Sequence, residues 1–250
     1  MKYKSLFVSD IHLGHPSSKA DQLSEILDDY TFDNIYLIGD IIDLWYLKRH
    51  SLKFYKSHSS LIEKIIHLSN KGVNIKYIIG NHDESLKSFL KDGKFNFGNI
   101  ELVRETEHLS FGRRFLVTHG DKYDSLTYSS SGRFVMTFGD FLYDFVSTID
   151  RFQLFFRRLF KMKYWSFSGF CKKAIKGAVT FIQNYEKIIT LDAKQKGYDG
   201  VICGHIHHAK KEIINGILYL NDGDFMESCS ALIENEKGDF EFIFNEPKYN

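Results

Sequence analysis

Five short apolar runs in this chain stop in the same way, each on a cluster of residues that can bind metal or carry protons. Tyr3–Val8 leads into Ser9-Asp10-Ile11-His12, Ile35–Ile38 into Gly39-Asp40, and Ile75–Ile79 into Gly80-Asn81-His82-Asp83. Phe115–Thr118 ends in His119-Gly120-Asp121, and Val201–Cys203 in Gly204-His205-Ile206-His207. Runs this short, apolar and β-branched read as strands covered on both faces. Helical periods separate the first three. Ala20, Leu23, Ile26, Leu27 and Tyr30 form one, capped by Ser17 or Ser18; Leu61, Ile62, Ile65, Ile66 and Leu68 form the other. Strand–helix alternation over roughly the first 80 residues predicts an α/β layer with crossover connections.

Beyond Asn99 the pattern turns to hairpins. Leu109–Phe111 and Arg114–Thr118 flank a turn at Gly112-Arg113. Asn215-Gly216 lies between Glu212–Ile214 and Ile217–Leu220, a two-residue hairpin signal. Ala231–Glu234 and Asp239–Phe244 surround Lys237-Gly238. Two packed sheets with helices outside them are therefore expected. Residues 124–196 show no strand–turn pattern and read as a helical insertion within a single domain spanning 1–250.

Composition narrows the setting. Cys171, Cys203 and Cys229 are scattered and form no C-x-x-C pair, which argues against a disulfide framework or a thiolate zinc site and for a reducing, cytoplasmic location. The first apolar run stops at Asp10, too short for a signal-peptide core, and no run reaches the roughly 18 apolar residues of a membrane span.

Ligands in open α/β sheets gather beyond the carboxyl ends of strands. Here those ends carry Asp10, His12, Asp40, Asn81, His82, His119, His205 and His207. Carboxylate, imidazole and amide without thiolate suit Mn²⁺ first, with Fe²⁺ or Zn²⁺ as alternatives. The donors are too many for one ion, so two divalent ions are expected. Asp10 and His12, two apart, can face one ion; Asp40 after Gly39 can bridge; Asn81 and His119 add an amide oxygen and a nitrogen. If the chain leaves Val201–Cys203 extended, His205 and His207 point to one side and His208 away. A two-metal centre is a general device for displacement at phosphorus.

The blocks D-x-H (Asp10, His12), G-D (Gly39, Asp40), G-N-H-D (Gly80–Asp83), H-G (His119, Gly120) and G-H-x-H (Gly204–His207) resemble the calcineurin-like metallophosphoesterase signature, in its usual order. The resemblance implies a four-layer αββα sandwich of two mixed sheets flanked by helices. It also implies one metal on Asp10, His12, Asp40 and His207, and a second on Asp40, Asn81, His119 and His205. By the same resemblance His82 lies near the phosphate and assists the leaving group, with Asp83 orienting its ring. His208 has no place in the motif.

The substrate signal lies elsewhere. Between Arg151 and Ala178 stand eight bases, eight aromatics and no acid, so the rest of the chain carries about −7 against an overall +1. Phe152, Phe155, Phe156, Leu159 and Phe160 share a helical face. Such a segment suits an anionic membrane interface or an acyl-chain pocket with phosphates at its rim. A core-facing amphipathic helix and a single-stranded nucleic-acid surface are the competing readings.

Ile38–Trp45, Thr118–Asp124, the insertion and Leu220–Cys229 are similar to the UDP-2,3-diacylglucosamine pyrophosphohydrolases of bacterial lipid A biosynthesis, in the branch with histidine at G-N-H-D. That likeness implies hydrolysis to UMP and 2,3-diacylglucosamine 1-phosphate at the inner membrane, with the insertion as a lid. Arg157, Arg158 and Lys161 are candidate substrate contacts. So are Asp121 and Asp124, although Asp124 could equally cap the helix that follows. A phosphodiesterase acting on nucleic acid or cyclic nucleotide, and a non-catalytic scaffold docked on membranes, are the alternatives.

Overall fold

A computed structural model describes residues 1–50, 54–124 and 167–245, with backbone alone at 167–176. Arg157, Arg158, Lys161 and the aromatics up to Trp165 lie outside the described residues. The chain forms two compact units, Met1–Asp121 with Ile189–Asn250, and Lys122–Ile188. In the second unit the rings of Tyr123 and Tyr185 meet edge-on, 6.4 Å between centroids.

The first unit holds two mixed sheets flanked by helices. In chain order, the strands of the first half are β1 (Lys2–Val8), β2 (Thr31–Ile38), β3 (Asn74–Ile78), β4 (Lys94–Phe97), β5 (Ile100–Val103), β6 (Glu105–Ser110) and β7 (Arg113–Thr118). Those of the second half are β8 (Gly200–Cys203), β9 (Lys210–Ile214), β10 (Ile217–Asn221), β11 (Ser230–Glu234) and β12 (Phe240–Phe244). One sheet runs β12-β11-β1-β2-β3-β5-β4 and the other β6-β7-β8-β10-β9. In the first, β1, β2, β3 and β5 are mutually parallel; in the second, β7, β8 and β10 are.

Period-2 alternation decides which core each side chain enters. Leu6 and Val8 of β1, Ile35 and Leu37 of β2, and Ala231 and Ile233 of β11 pack with helices α1 (Ala20–Asp29) and α3 (Lys56–Asn70) through Leu23, Ile26, Leu61 and Ile65. The residues between them, Phe7, Tyr36, Ile38 and Leu232, turn to the other face and meet Phe115, Val117, Ile202 and Leu220 of the second sheet. Strands buried on both faces must be apolar throughout, which is why these runs look continuous in the sequence.

Two local expectations are corrected. Helix α1 is entered from Lys19, which makes no side-chain cap; the Ser18 hydroxyl donates to the Ile11 carbonyl instead, 2.6 Å away. The β6–β7 turn is Phe111-Gly112, one residue earlier than expected, because both positions take left-handed φ, 49° and 79°. The Asn215-Gly216 turn stands where expected, with φ of 54° and 83°. A short helix α2 (Leu44–Arg49) follows β2, and a long one, α4, runs over Phe167–Gln195, where Ile189 and Ala193 are fully buried. No described helix is long and apolar enough to cross a membrane.

Candidate metal centre

Parallel strands β1, β2 and β3 end together, and β7 and β8 do so in the facing sheet, so five loops converge at one end of the sandwich. The loops are stitched by backbone bonds: Asp10 N–H donates to Gly39 O (3.1 Å), His12 N–H to Asp40 O (2.9 Å), and Gly204 N–H to His119 O (3.3 Å). Asp10, His12, Asp40, His205 and His207 all have left-handed φ, between 50° and 73°. A non-glycine residue held there costs on the order of 1 kcal/mol or more, and such strain concentrates at functional sites. His205 and His207 are therefore not on an extended strand. Instead of pointing together, His207 turns towards Asp10 and His12, while His205 turns towards His119, 5.0 Å between ring centroids.

Two groups of donors can each hold an ion: Asp10, His12 and His207, and Asp10, Asp40 and His119. Asp10 is fully buried, and its two oxygens differ. Oδ2 lies 2.5 Å from Ser9 Oγ and accepts from His205 N–H at 2.8 Å. Oδ1 faces imidazoles alone among the described residues, His207 Nε2 at 3.1 Å and His12 Nε2 at 3.9 Å. Burial opposes the charge on Asp10, but His207, His119 and His12 outweigh it and hold the carboxyl well below its usual range. The same neighbours gain: burial disfavours a charged His207, yet Asp10 raises it to about 9.

His119 is oriented by its other nitrogen, since Nδ1–H donates to Ile38 O at 2.8 Å. That leaves Nε2 against two acceptors, Asn81 Oδ1 at 3.2 Å and Asp40 Oδ2 at 3.4 Å. Without an ion, a proton must sit between them. Burial resists it, but Asp40 raises the imidazole pKa well above its ordinary value. A cation in that position would replace the proton. The buried Asp10 Oδ1 between two imidazoles and this cluster of inward-facing acceptors both fit divalent metal.

A third group, His12, Asp43 and His82, is already satisfied by hydrogen bonds. Asp43 Oδ2 lies 3.2 Å from His12 Nδ1 and Oδ1 3.0 Å from His82 Nδ1, while Oδ1 also accepts from Tyr46 N–H at 2.8 Å to cap α2. One carboxylate thus orients both rings, the usual arrangement behind a metal-binding histidine. This corrects the role expected for Asp83, which does not meet the His82 ring. Asp83 accepts from Gly80 N–H, Ile41 N–H and the Tyr77 hydroxyl, at 2.6, 3.1 and 2.6 Å, and burial next to Asp40 raises it to about 6. It braces the G-N-H-D loop. The missed residue, Asp43, carried a readable signal: an Asp directly before Leu44-Trp45-Tyr46 is a helix N-cap pattern.

His82 stands at the margin, partly exposed, with Nε2 4.0 Å from Asp40 Oδ2 and its ring 4.4 Å from that of Trp45. Burial disfavours its charge, but the Asp43 hydrogen bond and the Asp40 charge together raise its pKa. Asp121 opens a short 3₁₀ turn directly after His119-Gly120 and belongs to the same unit, whereas Asp124 belongs to the second unit. His208 is exposed.

A profile of the calcineurin-like phosphoesterases matches residues 3–209, from the first residues of β1 to just past the last histidine block. A UDP-2,3-diacylglucosamine hydrolase of Porphyromonas gingivalis is 30% identical over 129 residues, 49% of this chain and 47% of the relative. One from Histophilus somni is 28% identical over 139 residues, 50% of this chain and 53% of the relative. The chain thus spans about half the length of the curated relatives it matches. Among solved structures, an E. coli phosphoesterase is similar at 13% identity, over 97% of this chain and 99% of that one, with a TM-score of 0.46. With a family profile spanning all five strand-end clusters, the chain belongs to the calcineurin-like phosphoesterase family.

Proposed function

We propose that this calcineurin-like phosphoesterase is a metal-dependent hydrolase that cleaves the pyrophosphate of UDP-2,3-diacylglucosamine to UMP and 2,3-diacylglucosamine 1-phosphate. The observation that carries the chemistry is the Asp10 carboxylate, fully buried with one oxygen set between the His207 and His12 imidazoles, 3.1 and 3.9 Å away. The substrate rests on the curated relatives of that name and on the acid-free basic and aromatic segment of 151–178, suited to acyl chains and phosphates. An anionic membrane surface is the partner that segment would meet, from the cytoplasmic side of the inner membrane.

Asp10, His12, Asp40 and His207 would hold one ion, and Asp40, Asn81, His119 and His205 the other, with Mn²⁺ the first candidate. Such a pair supplies charge neutralisation at the phosphoryl oxygens and an activated nucleophile. The chain's own residues do the rest. Asp43 fixes the His82 ring so that Nε2 faces the edge of the site, and its hydrogen bond together with the Asp40 charge raises the ring's affinity for a proton. His82 then donates towards the phosphate oxygen on which charge builds as the P–O–P bridge breaks. Trp45 against the ring limits its rotation.

The test is release of UMP from UDP-2,3-diacylglucosamine by metal-stripped protein, with and without added Mn²⁺. Metal-dependent release supports the whole reading. Mn²⁺-dependent cleavage of a generic aryl phosphodiester without UMP release would keep the metal centre and discard the lipid substrate. Replacing Asp40 or Asn81 with Ala is expected to abolish turnover while the far-UV circular dichroism spectrum is unchanged. Full activity in either variant would remove the two-metal mechanism.

A further inference from the structure

Behind Asp10 lies a second buried carboxylate that the reaction does not use. Asp222, in the loop after β10, is fully buried, and its Oδ2 has no hydrogen-bond partner among the described residues. Its Oδ1 lies 2.6 Å from Ser9 Oγ, and the same hydroxyl lies 2.5 Å from Asp10 Oδ2. The loop holds Asp222 firmly: its N–H donates to Cys203 O at 3.0 Å, and its carbonyl accepts from the Ser230 hydroxyl at 2.9 Å. Asn221 Nδ2 donates to Gly204 O at 2.7 Å, fastening the loop to the turn that carries His205 and His207.

Counting hydrogens settles how three oxygens share these contacts. Ser9 has one hydroxyl hydrogen and two short carboxylate contacts. If it donated to one carboxylate, an ionised partner on the other side would press lone pair against lone pair. One carboxyl must therefore carry a proton. Asp10 accepts from His205 N–H at Oδ2 and faces His207 and His12 through Oδ1, as an ionised ligand must, whereas the fully buried Asp222 carboxyl is hydrogen-bonded among the described residues to Ser9 alone, so the proton lies on Asp222. The chain of donors then runs Asp222 Oδ1–H to Ser9 Oγ, and Ser9 Oγ–H to Asp10 Oδ2.

We infer that Asp222 is a neutral positioning residue whose carboxylic acid, relayed through Ser9, fills Asp10 Oδ2 and leaves only Oδ1 to meet metal. With His205 N–H as the second donor, Oδ2 has two hydrogen bonds, so Asp10 presents one oxygen in one direction. The inference rests on the metal reading of the preceding subsection.

Mn²⁺ affinity, measured by isothermal titration calorimetry on the whole chain, separates the possibilities. Asp222→Ala and Ser9→Ala are each expected to weaken binding roughly 10–100-fold, as loss of a supporting hydrogen bond behind a ligand does. Asp222→Asn keeps a neutral donor at the same place and is expected to stay within about threefold of the parent. Adding Asp222→Ala to Ser9→Ala should cost little more, since the relay is already cut. Thermal melting checks that the variants fold, and Ser9→Ala and Asp222→Asn carry the test if Asp222→Ala does not. Asn as damaging as Ala would mean that Asp222 acts as an anion and would overturn the relay. Unchanged affinity in Ser9→Ala would overturn it too. No Mn²⁺ binding by the parent chain would overturn the metal reading and the relay with it.

Discussion

At the scale of single residues the site is built from side chains with two jobs. Asp43 is the clearest, because one carboxylate caps α2 and holds the rings of His12 and His82. Asp43→Ala is expected to lower kcat roughly 10–100-fold. Adding His82→Ala should then cost much less than His82→Ala costs alone, because the two act as a unit. Steady-state kinetics on the two single variants and the double one would check this, and fully additive losses would separate Asp43 from His82. The metal-ligand types were legible because Asp, His and Asn at strand ends have few other reasons to recur. The support behind them was not. Asp83 stands beside His82 in the chain and Asp43 does not, yet the fold sends Asp83 into its own loop and brings Asp43 to the ring.

Elements impose their own limits. Gly204 follows β8 where a Cβ would collide with the Ser9 side chain, so the turn carrying His205 and His207 can approach Asp10 only as glycine. Gly204→Ala is expected to leave a folded protein with Mn²⁺ affinity at least tenfold weaker, by calorimetry. Across the sandwich, Glu234 of β11 lies 3.0 Å from His108 Nε2 of β6 and accepts from Ser5 of β1 at 2.8 Å. Burial alone would raise its pKa, but His108, Ser110 and Ser5 bring it down to about 2 from 4.5. A carboxyl depressed in the folded state stabilises fully above its ordinary value, and the gain is lost as pH falls towards the folded value. The melting temperature should therefore drop as pH falls from about 5 to about 2. In Glu234→Gln this part of the pH dependence should vanish, and an unchanged profile would show that the pair does not couple to folding.

For the molecule as a whole, the open term is the basic and aromatic segment. Replacing Arg157, Arg158 and Lys161 with Ser should weaken sedimentation with anionic liposomes at low salt, each base contributing about 1 kcal/mol near the surface. Unchanged binding would assign the segment to a core. The donor-tipped strands, helices α1 and α3, the two-sheet layering, the Asn215-Gly216 hairpin and the donors themselves are legible in the chain alone. Each of these is written in local periodicity, turn chemistry or residue type, which a few neighbouring positions carry. Which donor faces which is set by the folded chain. The left-handed backbone at Asp10, His12, Asp40, His205 and His207 redirects side chains that strand alternation would have aligned otherwise. Asp222 reaches Asp10 through Ser9 from more than 200 positions away in the chain. Such pairings arise from sheet order and loop packing, where contact is set by the whole fold and leaves no period in the sequence.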